Sequence, residues 1–117
     1  LSVCTLPGGH PSDRLKQGNM ELGLGIHGEP GHSMAPISSA DTTVDTIMKQ
    51  ITDSENDYLR LGKGDRVALL VNSLGGTPLM ELYVSSRAAI GWLEKRGVDV
   101  VHTYCGHFMT ALEMQGL

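Results

Sequence analysis

The chain has 117 residues, of which 40% are hydrophobic and 19% are charged, and these proportions predict a single globular domain rather than a disordered chain. A net charge of −4, a sequence pI of about 5.6 and only 4% aromatic residues argue against a surface that binds nucleic acid. No apolar run approaches the roughly 20 residues of a membrane-spanning helix, and the first residues lack the pattern of a signal peptide.

The cysteine content indicates the redox environment. Cys4 and Cys105 are too few for a disulfide framework, so we expect a reduced, cytoplasmic protein. The chain begins at Leu1 within a strand-like run and ends at Leu117 just after an apolar segment. We therefore expect both ends to have been cut from a longer protein.

The first third of the chain is predicted to contain two short strands. A strand-like run over residues 1–6 ends in a Pro-Gly-Gly turn at 7–9, and residues 10–19 are polar. Residues 20–26 alternate between apolar and other residues, which predicts the second strand. Residues 31–38 are mostly small and include a proline, so they are predicted to be a connection.

A helix is predicted after this connection. Ser39 is a suitable N-cap, and Asp41 lies in the first turn, where a negative charge interacts favourably with the helix dipole. Residues 53–61 are then predicted to be a loop and residues 62–65 a turn. The helix is expected to bury one apolar stripe, formed by Val44, Ile47, Met48 and Ile51.

The second half of the chain predicts a strand, a helix and a second strand. The apolar run within residues 66–71 is typical of a central strand. Thr77 is predicted as the N-cap of the helix, Pro78 as its first residue and Gly97 as its left-handed C-cap. Residues 98–104 then predict a parallel strand, reached by a right-handed crossover. The inner stripe of the helix is predicted to be Leu79, Leu82, Tyr83, Ser86, Ala89, Ile90 and Leu93.

The loop after the second predicted strand contains the strongest candidate for chemistry. His27 lies among four glycines and a proline within residues 23–31, and Gly28 leaves one side of the ring uncrowded. A neutral imidazole has a nitrogen lone pair that can serve as a base or as a nucleophile. From the residue types alone, an incidental exposed histidine in a glycine-rich turn fits the pattern equally well.

Four stretches of the chain resemble the substrate-binding module (Dak1, or K) of the dihydroxyacetone kinase family, in the family's order. They are Cys-Thr-Leu-Pro-Gly at 4–8, Met-Glu-Leu-Gly-Leu-Gly-Ile-His-Gly-Glu-Pro-Gly at 20–31, Asn-Ser-Leu-Gly-Gly-Thr-Pro-Leu-Met-Glu-Leu at 72–82 and Gly-His-Phe-Met-Thr-Ala-Leu-Glu-Met at 106–114. The resemblance implies that residues 1–117 are a single partial domain, the His-bearing C-terminal subdomain of that module.

The resemblance also implies a role for His27. In the family, the histidine of the Gly-Ile-His-Gly-Glu motif binds the ketone of dihydroxyacetone covalently. Addition of an imidazole to a ketone stops at a reversible hemiaminal, because the ring has only one N–H to lose and so cannot form a neutral imine. This chemistry selects a carbonyl compound over glycerol, and it holds a terminal hydroxyl in place for phosphoryl transfer.

The implied activity is that of a dihydroxyacetone (glycerone) kinase. ATP and Mg²⁺, or a phosphorylated partner subunit, are expected on a separate nucleotide-binding (Dak2/L) domain or subunit, and the general base in the preceding half of the module. We therefore expect no cofactor and no metal in this chain, which alone is predicted to be inactive, and a homodimer is one expected assembly. The alternatives are a non-catalytic regulatory paralogue that binds dihydroxyacetone, and a piece that has no function of its own.

The expected fold is a two-layer α/β structure with a mixed β-sheet and helices packed on one face, truncated before the last strands of the family. Beyond residue 106 a short helical turn is predicted from Phe108, Met109 and Leu112.

Three further residue sets each admit two interpretations. Glu29 either bonds the imidazole of His27 and fixes its tautomer or faces solvent in the turn. Gly75 and Gly76 either form a tight strand-to-helix turn, which is favoured, or cradle a phosphate with their N–H groups. His32, His102, Cys105 and His107 suggest a zinc site, which is disfavoured because no second pair of ligands follows Cys105-x-His107 at a suitable spacing.

Overall fold

The computed structural model describes residues 4–10, 13–27, 29–52 and 59–117. These residues form four strands and two helices, which are β1 (Asn19–Leu22), β2 (Ser33–Pro36), α1 (Ala40–Thr52), β3 (Arg66–Asn72), α2 (Leu79–Glu94) and β4 (Asp99–Gly106). They divide into two compact units, the first from described residues within 1–37, 72–78 and 107–117 and the second from those within 38–71 and 79–106. Among the described helices, none has the length and apolar content needed to cross a lipid bilayer.

The first unit contains an antiparallel strand pair. β1 and β2 pair with Asn19 opposite Pro36 and Leu22 opposite Ser33. The connection predicted over residues 31–38 is therefore wrong, because it contains β2. The sequence signal is weak because the strand has four residues, of which only Ala35 is half-buried, and because it ends in a proline, which has no N–H to donate.

β1 is shorter than the strand predicted over residues 20–26. Gly23 has φ = 74°, a left-handed conformation that turns the chain and that glycine adopts without steric cost. The strand therefore ends at Leu22, and the residues that follow belong to the loop.

The N-terminal prediction is confirmed in part. Residues 4–6 form no strand, and residues 1–3 lie outside the described part of the chain. The turn at residues 7–9 is confirmed, because the N–H of Gly9 donates to the carbonyl of Leu6 at 2.9 Å.

Helix α1 forms as predicted. The N–H of Thr42 donates to the hydroxyl of Ser39 at 3.2 Å, which is the N-cap bond expected there. Val44 and Met48 are buried, whereas Ile51 at the end of the stripe is 41% exposed. Of the loop predicted to follow, residues 53–58 lie outside the described residues.

The second sheet confirms the predicted strand–helix–strand unit. β3 and β4 are neighbours, and the N–H of Asp99 donates to the carbonyl of Asp65 at 2.8 Å, at the start of both strands. The two strands therefore run in the same direction. Val67 and Leu69 of β3 pack against the core, whereas Leu70, the residue after Leu69, is 57% exposed, so the helices cover one face of this sheet.

The α/β class is thus confirmed, with one difference in the sheet. In the described residues the strands form two separate pairs, one antiparallel and one parallel, rather than a single mixed sheet. For the same reason β3, predicted to be a central strand, has one neighbouring strand in the described part of the chain.

The buried face of helix α2 differs from the predicted one. Its buried residues are Leu82, Ser85, Ser86, Ala89, Trp92 and Leu93. Leu79 and Tyr83 were expected inside but are 45% and 55% exposed. The buried side includes Trp92 because its indole N–H donates to the carboxylate of Asp45 on α1 at 2.9 Å, which satisfies the polar atom while the ring packs in the core.

The two predicted caps of α2 have different outcomes. Gly97 has φ = 74°, and the N–H of Val98 donates to the carbonyl of Leu93 at 3.2 Å, so the left-handed C-cap is confirmed. The hydroxyl of Thr77, predicted to be the N-cap, instead donates to the carbonyl of Gly116 at 2.9 Å and accepts its N–H at 2.7 Å.

Candidate functional site

The candidate site is the loop that connects β1 to β2 and carries His27, of which the structure describes residues 23–27 and 29–32. The antiparallel register places Leu22 opposite Ser33, so the two ends of the loop meet at the end of the strand pair. The side chain of His27 is 79% exposed. A ring so exposed is available to a small molecule from solvent.

A buried carboxylate anchors the far end of this loop. Glu21 of β1 is 4% exposed, and it accepts the N–H of Gly31 at 2.6 Å and a bond from the guanidinium of Arg14. A Cβ on Gly31 would lie 2.5 Å from Cγ of Glu21 and 2.6 Å from the carbonyl oxygen of Leu22. Only glycine therefore lets the loop return this close to the strand from which it left.

Glu29 contacts His27 through both of its carboxylate oxygens. Oε2 accepts the backbone N–H of His27 at 2.9 Å, and Oε1 lies 3.0 Å from the ring nitrogen Nδ1. A Cβ on Gly25 would lie 2.2 Å from Oε2, so the glycine provides the space that the carboxylate occupies. The sequence left open whether Glu29 bonds the imidazole, and the structure shows that it does.

The carboxyl group of Glu29 is ionised at neutral pH. Hydrogen bonds from its own backbone N–H and from that of His27, with a further bond from the imidazole, hold its pKa below the ordinary value of 4.5. Desolvation of the carboxylate opposes this effect by less than either backbone bond lowers the pKa. An ionised carboxylate is purely an acceptor of hydrogen bonds.

Gly75 and Gly76, in the stretch of residues 72–82, have a structural explanation. A Cβ on Gly75 would lie 2.0 Å from the carbonyl oxygen of Leu112, and one on Gly76 would lie 2.3 Å from that of Glu113. The N–H of Gly76 donates to the carbonyl of Met114 at 2.8 Å, and the N–H of Gly75 donates to a serine hydroxyl at 3.0 Å. Both N–H groups are thus already bonded, which argues against the phosphate cradle.

The side chain of Asn72 bonds the residues just before that segment, Phe108 and Met109. Its side-chain oxygen accepts the N–H groups of Phe108 and Met109, each at 2.8 Å, and its amide donates to the carbonyl of Met109 at 2.8 Å. The helical turn predicted from Phe108, Met109 and Leu112 is wrong, because residues 108–109 form a bend held by the asparagine and Leu112 has φ = 52°, which is not the conformation of a right-handed helix. Sequence reasoning included Asn72 in a motif but gave it no role.

Other candidate groups do not assemble into a site. Among the described residues, no group of three or more His, Cys, Asp or Glu side chains is placed to hold a metal ion. Cys4 and Cys105 are both free thiols.

An open groove of about 490 Å³ lies between α1 and α2 in the second unit. Its charged side chains already have partners: Lys49 bonds Asp45 at 2.7 Å, and the guanidinium of Arg96 lies 3.3 Å from the centre of the Trp92 ring. The groove is therefore a weaker candidate than the His27 loop.

Comparison with known proteins identifies several relatives. The Dak1 domain profile matches residues 1–117. A Solanum lycopersicum protein provisionally named a 3,4-dihydroxy-2-butanone kinase is 49% identical over 117 residues, which are 99% of this chain and 20% of that protein. The dihydroxyacetone-binding subunit DhaK of the PTS-dependent dihydroxyacetone kinase 1 of Listeria innocua is 42% identical over 118 residues, which are 100% of this chain and 35% of the subunit.

A solved structure has a similar fold. The dihydroxyacetone kinase operon co-activator Dha-DhaQ superposes with a TM-score of 0.82 at 29% identity, over 98% of this chain and 35% of that one. The chain thus spans between about a fifth and a third of the length of the proteins it matches.

Proposed function

The chain belongs to the Dak1 domain family, and on that premise we propose that it is the part of a dihydroxyacetone kinase that holds dihydroxyacetone, with His27 as the covalent anchor. The single observation that supports this role is the presentation of His27. Its ring is 79% exposed, at a loop whose end is fixed to β1 by the buried Glu21. A nucleophile needs both access and a fixed position, and the loop provides both.

The proposed chemistry is addition to a ketone. A ring nitrogen of neutral His27 donates its lone pair to the carbonyl carbon, and the π electrons of the C=O bond move to oxygen. The oxygen takes up a proton from solvent while the other ring nitrogen releases its N–H proton to solvent, so the ring stays neutral. The product is a hemiaminal whose two terminal hydroxyl groups remain free. One of them can then accept a phosphoryl group, in a reaction for which positioning supplies much of the rate.

The phosphate donor is expected outside this chain. We propose that ATP with Mg²⁺, or a phosphorylated partner subunit, is held by a separate nucleotide-binding (Dak2/L) domain or subunit. The bonded N–H groups of Gly75 and Gly76 support this division, because the loop before α2 has no free cradle for a phosphate. The two free thiols support a reducing, cytoplasmic location.

One observation favours a second function, that of a regulatory protein which binds dihydroxyacetone without phosphorylating it. The fold superposes on a protein named as an operon co-activator with a TM-score of 0.82. Both functions use the same His27 chemistry, and they differ in whether phosphate is transferred.

Phosphoryl transfer to dihydroxyacetone tests the proposal on the protein at its full natural length. We expect product formation with either ATP and Mg²⁺ or a phosphorylated carrier protein as donor, and its loss in His27→Ala. His10→Ala is the matched control, because His10 is also exposed but lies outside the loop. Binding of dihydroxyacetone without transfer from either donor would favour the regulator, and full turnover by His27→Ala would contradict the anchor.

A further inference from the structure

We propose that Arg14 is a positioning residue for the loop that carries His27, and that it acts through the buried carboxylate of Glu21 on the backbone N–H of Gly31. The inference rests on the proposed function, because the loop presents the residue that captures the ketone, and it adds a residue outside the loop that determines where the loop ends. It is carried by one atom, Oε1 of Glu21, which accepts bonds from both the guanidinium of Arg14 and the N–H of Gly31.

The first step is the charge on Glu21. Its side chain is 5% exposed, whereas that of Arg14 is 39% exposed. A carboxylate is rarely buried without a partner of opposite charge, because burial removes the water that stabilises the charge. The guanidinium of Arg14 supplies the opposite charge from a partly exposed position and bonds the oxygen directly. Arg14 therefore makes the buried position of the carboxylate favourable.

The second step is the fit between this carboxylate and the end of the loop. An added Cβ on Gly31 would lie 2.5 Å from Cγ and 2.9 Å from Oε1 of Glu21, so the side chain of Glu21 lies directly against the backbone of Gly31. The chain then enters β2 at Ser33. A carboxylate that turned away would leave the N–H of Gly31 without its acceptor, at the point where the loop returns to the strand pair.

The third step is the effect of removing Arg14. Without the guanidinium, the carboxylate of Glu21 is stabilised by turning towards water, and this movement breaks its bond to Gly31. The end of the loop can then occupy several positions, of which only some present His27 as the bound state requires. The apparent affinity for dihydroxyacetone falls by the fraction of molecules that have the competent position.

The test measures binding and local opening on the protein at its full natural length. Titration with dihydroxyacetone gives the affinity, and amide hydrogen exchange at Gly31 reports the bond to Glu21. The variants are Arg14→Ala and Arg14→Lys, the second of which keeps a positive charge. Arg14→Ala is also combined with Glu21→Gln in a double-mutant cycle, because a glutamine keeps an acceptor for the N–H of Gly31 without a buried charge.

Two controls separate this effect from a general loss of stability. Arg66→Ala removes an arginine that lies in the second unit and pairs at 3.6 Å with Asp99, both side chains being exposed, so it should change neither measurement. The N–H of Ile37 donates to the carbonyl of Gly18 at 2.9 Å, at the other end of the strand pair. Its exchange should be unchanged in Arg14→Ala.

We expect Arg14→Ala to weaken dihydroxyacetone binding about tenfold, the effect of losing a hydrogen bond between charged groups, and to accelerate exchange at Gly31 but not at Ile37. Arg14→Lys should recover part of both effects, and Arg14→Ala should add little to Glu21→Gln. Unchanged exchange at Gly31, equal acceleration at Ile37, or an undiminished effect of Arg14→Ala beside Glu21→Gln would overturn the inference. Absence of binding by the wild-type protein would instead overturn the proposed function, and exchange at Gly31 would still test the role of Arg14.

Discussion

The buried carboxylate of Glu21 accepts the backbone N–H of Gly31 at 2.6 Å, across the base of the loop that carries His27. This bond joins the end of the loop to the strand from which the loop begins. Because Glu21 is 4% exposed, the bond is shielded from water, and its loss would leave a carboxylate buried without one of its donors. The position of His27 therefore depends on a residue six positions before it in the sequence.

Substitution of Gly31 by alanine should destabilise the chain. The new Cβ would lie 2.5 Å from Cγ of Glu21 and 2.6 Å from a backbone oxygen that cannot move independently of β1. We expect the free energy of unfolding to fall by about 1–3 kcal/mol, the usual cost of overpacking, as measured by urea denaturation of the 117-residue chain.

Gly91→Ala is the control for this experiment. Gly91 lies within α2, and a Cβ there would have no heavy atom within 4 Å. It should therefore raise the free energy of unfolding by about 0.5–1 kcal/mol, as alanine does in a helix. Equal effects of the two substitutions would contradict the steric account of Gly31.

Substitution of Ser86 by alanine should stabilise the chain. Its hydroxyl oxygen is buried and has no hydrogen-bond partner among the described residues. Ser86→Ala removes this unsatisfied group and should raise the free energy of unfolding by about 1 kcal/mol. Ser85→Ala is the matched control, because the Ser85 hydroxyl donates to the carbonyl of Glu81 at 3.0 Å and should give a smaller gain or a loss. A decrease in stability for Ser86→Ala would show that its hydroxyl has a partner in solution.

Acid should destabilise the chain through three carboxyl groups. The pKa of Glu29 and that of Glu113 are lowered from 4.5, the first mainly by backbone N–H groups and the second mainly by the side chain of Thr5. The pKa of Asp45 is lowered from 3.8, mainly by Lys49. A lowered folded-state pKa means that the unfolded chain binds protons first as the pH falls. The stabilisation is therefore complete above about pH 4.5 and is lost as the pH decreases through the folded-state values.

The measurement is the free energy of unfolding at about pH 6 and about pH 3. The combined variant Glu29→Gln, Asp45→Asn and Glu113→Gln should show a smaller loss between these two pH values than the wild-type chain. A loss of the same size in both proteins would assign the acid sensitivity to other groups.

The proposed kinase has its phosphate-donor site and its general base outside this chain, and this placement gives a further prediction. The 117-residue chain alone, mixed with dihydroxyacetone, ATP and Mg²⁺, should produce no dihydroxyacetone phosphate, because the donor site and the general base are expected elsewhere. The control is the same assay with the protein at its full natural length. Robust turnover by the isolated chain would contradict this division.

The elements that the sequence predicted well are those whose signals are local. Helix α1 has a capping serine and a regular apolar stripe, and the C-cap of α2 has a glycine where a left-handed residue is needed. Strand β3 is a continuous apolar run between turn residues. In each case the physical cause lies within a few residues of the element, so the pattern alone is sufficient.

The elements that the sequence did not predict depend on partners that are distant along the chain. β2 is a strand because β1 lies beside it, and its own four residues include no β-branched or aromatic residue, the types that favour strands. Trp92 is inside because Asp45, 47 positions earlier, accepts its N–H. The bend at residues 108–109 exists because Asn72 bonds it. No local pattern contains these pairings.

The sequence predicted some features of the candidate site and missed others. His27 was identified by its motif, and its availability in an exposed loop agrees with that expectation, while its covalent role stays a prediction. The contact with Glu29 was one of two alternatives, since residues two positions apart in a turn can face either way. The anchoring role of Glu21 had no sequence signal, because a single glutamate in a short strand is usually exposed.

The formation of an adduct at His27 is the claim on which the functional account depends. Dihydroxyacetone labelled with ¹³C at the carbonyl carbon, added to the protein at its full natural length, reports this directly by NMR. The account predicts that the carbonyl signal of the bound molecule moves to the region of a tetrahedral carbon bonded to nitrogen and oxygen, and that a folded His27→Ala variant abolishes this signal. A bound ketone signal in the wild-type protein, or a tetrahedral signal that persists in His27→Ala, would contradict it.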